Sequence, residues 1–422
     1  MPPRALATGL RHERSPPWAP VAKGLGVDPA PQPGPTPPPH ETGTFEAYGA
    51  TRRVGAPGFW RDPGDGLLFL FHLHGFAPLA AYAQGPRQAA ADRFWQGVVE
   101  DWLARESTPR HPAWHPYPTS VRIVSWSAAL SAVDGWPSEL RGRVAAALGR
   151  QARYLRRAVE HDIGGNHVLK NATALAFAGS VLPRSGLLER ALGLLEREAR
   201  EQFLADGGHL ERSTSYHRSA THDLGEVAEL LRRAGRTVPR WLEDVLARAS
   251  AWQAALAGPD GHLPLLNDAW EGPPLPARVD EGLSVLAESG YHVLRSGDDQ
   301  AVLDVGPVAP PHLPPHAHAD VLSFVLWLDG APVVVDPGSF AYTGPWRNTF
   351  RGTAAHNSVE VDGMDQCDLW SDFRAAFLPR VWASEPRREG GTVVSQARHD
   401  GYRRLRDPVE HSRTFVWCEG AG

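Results

Sequence analysis

The chain changes its hydrophobic period once, and that change rules out a single repeating architecture. From Ala89 to about Gly258 apolar residues recur with helical spacing; from about Gly290 they come in short β-rich runs that end in Gly, Asp or Pro. The segment AAADRFWQGVVEDWLARE sets Trp95, Val98, Val99 and Trp102 on one helix face. SVRIVSWSAALSAV, SELRGRVAAALGRQARYLRRAVEHD, NHVLKNATALAFAG, GLLERALGLLEREAREQFLA, YHRSATHDLGEVAELLRRAG and RWLEDVLARASAWQAALAG follow, separated by Gly, Pro or Asp. About seven consecutive helices without a strand predict antiparallel pairs stacked as a bundle, a solenoid or a toroid. YHVLRSG, QAVLDVG, VLSFVLWLDG, APVVVDPG and NSVEVDG then predict antiparallel strands joined by tight turns, continued by VVSQARHDGYRRL and HSRTFVWCEG.

The expected fold class is therefore α+β and multidomain: a helical domain over residues 51–285 and a β-sheet domain over 286–422. Residues 1–50, with APQPGPTPPPH at positions 30–40, cannot sustain helix or ladder hydrogen bonds for long and are expected to form a variable or disordered leader. The last strand runs into FVWCEGAG, so the β domain is expected to be a sandwich-like sheet, apparently truncated at its C-terminus.

Net charge is −5, without a block of like charges, which argues against nucleic acid as partner. The two cysteines, Cys367 and Cys418, stand in no metal-ligand spacing and cannot make a disulfide framework. The N-terminus lacks a continuous apolar run, so neither a signal peptide nor a membrane span is expected, and cytoplasmic residence is the literal reading. Oligomeric state is not encoded in any pattern of this kind.

Polar residues gather at three places. In HAHADVLSFVLWLDGAPVVVDPG, His316 and His318 are two apart, so an extended backbone sends both side chains to one face. Asp336 ends the following strand of the hairpin, and TAAHNSVEVDG delivers His356 at the start of another. Two imidazoles and a carboxylate suit Zn²⁺ with a position left open, although polar strand ends are ordinarily satisfied by backbone or water. GGNHVLKNATALAFAG puts Asn166 and His167 at a helix entrance, where an Asn is ordinarily an N-cap. DGGHLERSTSYHRSATHD brings His209, Glu211, Tyr216, His217 and His222 into a polar approach to the next helix, ordinarily a solvated loop with a capping serine.

Together these stretches, and above all HAHADVLSFVLWLDGAPVVVDPGSFAYTG followed by FRGTAAHNSVEVDGMDQ, resemble the heparinase II/III-like polysaccharide lyases, which include heparin/heparan sulfate lyases and oligoalginate lyases. The resemblance runs from about Ala89 to the end and implies an incomplete α/α toroid joined to an antiparallel β domain. It also implies β-elimination on an anionic, uronate-containing polysaccharide or oligosaccharide. The C5 proton of a uronate is weakly acidic while its carboxylate is ionised, so donors must first neutralise that group; a base then takes the proton and an acid protonates the leaving oxygen.

By resemblance, Asn166 neutralises the carboxylate, assisted by the adjacent His167. Tyr216 serves as general acid, and in some members as base too; His316 faces the substrate, and Tyr342, in FAYTG, matches a second catalytic tyrosine. His318, Asp336 and His356 match zinc ligands, with no organic cofactor. Arg122, in WHPYPTSVRIVSW, and Glu211 and His217 are expected to contact substrate, Arg122 having the alternative of a helix-surface charge. Relatives of this kind are often periplasmic or associated with the cell envelope. PPHAHAD departs from the glycines that commonly flank the two histidines. Two other readings stay open: a glycoside hydrolase using Asp206 and Glu211, which needs a carboxylate pair across the bond, and a non-catalytic glycan-binding protein with a structural metal.

Overall fold

A computed structural model describes residues 38–418, apart from 48–49, 62–65, 87, 107–108, 110–111, 134, 183–184, 277–280 and 345. Most of the expected leader lies outside the described residues. Its end does not behave as a leader: Pro39–Thr42 forms a helical turn (α1), and Thr44–Ala47 (β1) pairs with Ala50–Arg53 (β2). Phe45 and Ala47 anchor that hairpin in the helical core.

All seven expected helices form: Ala89–Arg105 (α4), Pro116–Ala132 (α5), Ser138–Leu155 (α6), Gly165–Val181 (α7), Leu187–Gln202 (α8), Thr214–Arg233 (α9) and Arg240–Leu256 (α10). Two more precede them, Gly66–Gly75 (α2) and Ala77–Gln84 (α3). Together α2 and α3 are long and apolar enough to cross a membrane, with a mean hydropathy of 1.4. The stretch nevertheless breaks at Phe76, where φ is 60°, and much of it is buried inside the protein.

Helix α7 lies at the centre of the helical half and is covered almost all round, packing on α5, α6, α8 and α9. Its neighbour α8 shows the opposite pattern. There Leu187, Ala191, Leu192, Leu195 and Ala199 face inward, while Glu and Arg fill the outer face. The two helices meet closely at Gly179, where a β-carbon would come within 2.4 Å of the Leu188 amide nitrogen. Each fully buried Leu or Phe in such a core contributes about 1.5–3 kcal/mol through apolar area removed from water.

The β half is a layered structure. Five antiparallel strands run in sequence order, Gly282–Leu286 (β3), Tyr291–Ser296 (β4), Asp299–Asp304 (β5), Phe324–Leu328 (β6) and Ala331–Val334 (β7). Asp329 and Gly330 both take positive φ between β6 and β7, the tight hairpin turn that Asp-Gly favours. One face of this sheet packs Tyr291, Val293, Val302 and Trp327 against Trp252 and Leu256 of α10. The other packs Leu294, Ala301 and Leu303 against Val393 and Ala397.

Those last two residues belong to a second antiparallel sheet, built on Thr392–His399 (β12). His411–Cys418 (β13) pairs along one edge of β12, and Val381–Ala383 (β10) and Arg387–Glu389 (β11) share the other. A hairpin of Asp368–Ser371 (β8) and Arg374–Ala376 (β9) stands apart. The expected sandwich-like character is therefore present, with a helix layer on its far side. Two local expectations change. His316 and His318 lie in an irregular loop before β6, not on a strand, and His356 follows a 3-10 turn, Thr353–Ala355, with NSVEVDG contributing only a bridge between Val361 and Met364.

Candidate active site

The helical wall of the site starts at the entrance to α7. Gly165 has φ of 54°, and a β-carbon there would lie 2.5 Å from Glu211 Oε1, so the close approach requires glycine. Glu211 uses that proximity to accept the Asn166 backbone N–H at 3.0 Å and the Asn166 side-chain amide at 3.2 and 3.3 Å. The carboxylate thus takes over the capping work, and Asn166 is held as a first-turn residue. Beside it, His167 Nδ1 lies 3.1 Å from Glu160 Oε1, while Glu160 Oε2 accepts from Asn171 at 3.0 Å. Burial would raise the Glu160 carboxyl, but the charge and hydrogen bond of His167 hold it below its ordinary value.

Tyr216 comes from the first turn of α9, which Ser213 caps by accepting the Tyr216 N–H at 3.2 Å. Its ring stacks on His316 with centroids 3.8 Å apart, and its hydroxyl meets that of Tyr342 at 2.9 Å. A cleft of about 310 Å³ opens over this assembly, lined by Asn166, His167, Glu211, His316, Phe373 and Arg374 among others. Tyr216 is wholly buried beside His316 and Tyr342 nearly so, so the two hydroxyls adjoin the cleft without lining it.

The β wall is organised by Asp268, in the connection between α10 and β3. Its Oδ2 lies 2.8 Å from His316 Nδ1 and its Oδ1 2.9 Å from His318 Nε2. Arg347, on a short helix, Trp346–Arg351 (α11), donates to both oxygens, through Nη2 at 2.7 Å and through Nη1. Burial alone would raise this carboxyl; the Arg347 charge and the bonds from His316, His318 and Arg347 hold it well below the usual carboxylate range. A carboxylate only accepts, so His316 carries its proton on Nδ1 and His318 on Nε2.

Beyond His318 lies a second cluster. His318, Asp336 and His356, all buried, each offer a ligand atom within 4.8 Å of the others. His356 Nδ1 lies 2.7 Å from Asp336 Oδ2, and His318 Nδ1, His356 Nε2 and Asp320 Oδ1 are buried atoms with no hydrogen-bond partner. Burial, with the repulsion of Asp336 among the lesser causes, pushes the Asp320 carboxyl up to about 7. Burial would lower His356, but Asp336 and its neighbours raise it to about 9. Unpartnered imidazole nitrogens beside a carboxylate make a donor set that could hold a metal ion.

Two expected substrate contacts are corrected. Arg122 is fully buried, its guanidinium 4.3 Å over the Trp102 ring and bonded to Gln151 at 2.8 Å and to the His74 carbonyl at 2.8 Å. It packs the helical core and does not reach the cleft. His217 is equally buried: its Nδ1 accepts the His209 N–H at 3.1 Å, and Nε2 lies 3.2 Å from the Ala249 carbonyl oxygen. Asp206 is also engaged elsewhere, accepting from Ser289 at 2.7 and 2.8 Å, which leaves Glu211 without the partner a hydrolase pair would need. Conversely, Asp268, Arg347 and Glu160 hold site residues and carry no spacing signal in the sequence.

The helical half matches the heparinase II/III N-terminus family model over residues 76–288, and the β half matches the heparinase II/III-like C-terminal model over residues 278–420. The chain belongs to the heparinase II/III-like family. Among curated relatives, a heparin-sulfate lyase of Bacteroides stercoris is 26% identical over 306 residues, covering 61% of this chain and 42% of that protein. A heparin-sulfate lyase of Pedobacter heparinus is 24% identical over 335 residues, covering 68% of this chain and 50% of that protein. The chain thus spans about half the length of these heparinase-family relatives or less. A crystal structure of heparinase III superposes with a TM-score of 0.70 at 20% identity, covering 88% of this chain and 64% of that one. A heparan sulfate lyase mutant from Pedobacter heparinus gives 0.64 at 18%, covering 89% and 65%. At that identity the likeness establishes the fold, a helical half followed by antiparallel sheets.

Proposed function

We propose that this heparinase-family chain is a polysaccharide lyase, a carbon–oxygen lyase that cleaves a uronate-bearing glycan by β-elimination. The observation that carries the reading is the Tyr216–Tyr342 hydroxyl pair, 2.9 Å apart, against a His316 ring that reaches the same cleft as Asn166 and His167. The names of the curated relatives, heparin-sulfate lyases, support the class of substrate.

In this reading the uronate carboxylate enters the cleft against the Asn166 amide with His167 beside it, and His316 keeps Nε2 for the C5 proton. Donors preorganised around developing charge are worth about 10²–10³ in rate each. The C5–H bond breaks as its proton passes to the lone pair of His316 Nε2. The electron pair forms the C4=C5 bond, the C4–O bond breaks, and Tyr216 O–H protonates the departing oxygen. Tyr216 is left as a phenolate, which Tyr342 O–H stabilises at 2.9 Å until the proton held on His316 returns to it through solvent, so both groups end the cycle as they began. Because Tyr216 and Tyr342 are buried, substrate entry requires the groups above them to part.

His318, Asp336 and His356 are the residues that would hold Zn²⁺, a choice supported by two nitrogen donors and one carboxylate. When bound, the ion supplies positive charge that offsets the buried acids and orders the β wall. No organic cofactor enters this reading.

Ultraviolet absorbance during incubation with a panel of uronate polysaccharides tests the reading directly, because elimination creates a C4–C5 double bond and hydrolysis does not. Rising absorbance on one glycan is expected. New reducing ends without absorbance would reject the lyase in favour of a hydrolase, and silence across the panel would favour a binding protein.

A further inference from the structure

Asp268 bonds to one histidine that lines the cleft and to one of the His318–Asp336–His356 cluster, one oxygen to each. Oδ2 takes His316 Nδ1 at 2.8 Å, and Oδ1 takes His318 Nε2 at 2.9 Å. We propose that Asp268 is a positioning residue that couples the two sites, holding each histidine's proton on the nitrogen that faces it. His316 Nε2 is thereby left for the cleft, and His318 Nδ1 for a divalent cation.

The argument is one of donors and acceptors. A neutral imidazole carries one N–H, and a carboxylate can only accept, so each inward nitrogen is the donor and each outward nitrogen keeps its lone pair. The outward atom of His318 agrees with this assignment, because Nδ1 is buried with no hydrogen-bond partner. His316 Nε2 faces the cleft with Glu211 Oε2 3.5 Å away, beyond ordinary hydrogen-bond distance.

The carboxylate is itself held rigidly. The planar guanidinium of Arg347 meets both oxygens, Ser213 Oγ donates to the Asp268 carbonyl at 2.5 Å, and Asn267 Oδ1 accepts the His318 N–H at 2.9 Å. A shift at His318 on cation binding is therefore felt at His316 through one shared group.

The test is Asp268→Asn in the full chain. An amide has one acceptor oxygen, so it can serve one histidine, and its NH₂ group forces the other to move its proton outward. Long-range nitrogen–proton spectra would then show a changed tautomer at His316 or His318. Zinc affinity, measured by chelator competition, is expected to fall about 10–100-fold, as is usual when an outer-shell partner of a metal ligand is lost. In the kinetic arm, which alone rests on the lyase reading, kcat falls by a similar factor with KM little changed.

Because the single variant strands the Arg347 charge, Asp268→Asn combined with Arg347→Gln removes both charges of the buried pair and is expected to fold with the same tautomer and zinc changes. A folded variant that keeps both tautomers and its zinc affinity overturns the proposal, even if its melting temperature drops. If wild-type protein turns over no uronate glycan, the lyase reading fails, and the tautomer and zinc measurements still decide the role of Asp268.

Discussion

The two walls of the cleft solve the burial of polar groups in opposite ways. On the helical wall the buried carboxylates Glu160 and Glu211 have local partners: Glu160 holds His167 and Asn171, and Glu211 holds Asn166. These clamps sit on helices packed by one continuous apolar core. On the β wall Asp304, Asp320 and Asp336 are buried together, and burial drives Asp304 and Asp320 upward, each raised further by neighbouring acid. The helical wall clamps these acids one by one; the β wall gathers three acids beside a His–Asp–His triad that could hold a cation. Polar groups are affordable in a core when donors and acceptors balance, and the sheet side leaves that balance open.

The contrast breaks first at the hydroxyl that spans it. Replacing Tyr216 with Phe should lower turnover by about 10²–10⁴-fold, the range for loss of a positioned acid or base, while circular dichroism stays that of wild type. Full activity in that variant would remove Tyr216 from the mechanism.

A smaller effect separates the cores. Leu148→Ala, at a fully buried position of α6, is expected to cost about 2–5 kcal/mol in urea denaturation, equally with and without chelator. A cost that depended on chelator would mean that the helical half is not independent of the metal.

Chelation itself should act on the other half. At a zinc concentration about 100 times the dissociation constant, withdrawal is expected to remove about 2.7 kcal/mol of stability. Hydrogen exchange should then quicken around His316–His318, Asp336 and His356, with α7 and α9 unchanged. Uniform quickening, or none, would count against a cation site confined to the β wall.

The smallest expected effect lies with His217. Burial, first among the causes, lowers its imidazole from 6.5 to about 3, so the folded chain keeps it neutral where the unfolded chain is protonated. Below pH 6.5 the unfolded state binds the extra proton, and stability falls by about 1.4 kcal/mol per pH unit until about pH 3. The loss between pH 7 and pH 5 should be about 2 kcal/mol and should shrink in His217→Gln; an identical pH response in both would show that other groups dominate.

What could be read from the sequence follows the same divide. Helical period fixes a face, so all seven helices from Ala89 onward were legible, as was the change to strands. Helices α2 and α3 were not, because GLLFLFHLHG has no polar face to set a period. Asn166 and Tyr216, singled out by the motif around them, come together at one cleft, Asn166 in its lining and Tyr216 stacked on His316. Arg122 and His217 were misjudged because polarity suggests exposure, whereas both sit on helices covered on more than one side. Asp268 was missed for a different reason: its role exists only where the connection to β3, the His316 loop and α11 meet, and nothing in NDAWEG announces the other two.

One consequence of the tyrosine pair concerns time rather than space. Tyr216 and Tyr342 stand 126 positions apart, one on the helical half and one beyond the first sheet. Contacts of such separation carry a large loop-closure cost and form late, and a chain made from its N-terminus completes helices α2 to α10 well before the second hydroxyl exists. Under the proposed lyase activity, competence for chemistry would thus come only after the helical half has packed. A nascent or half-folded molecule would hold a packed helical body and be catalytically silent, and the onset of turnover would time the docking of the sheet onto it.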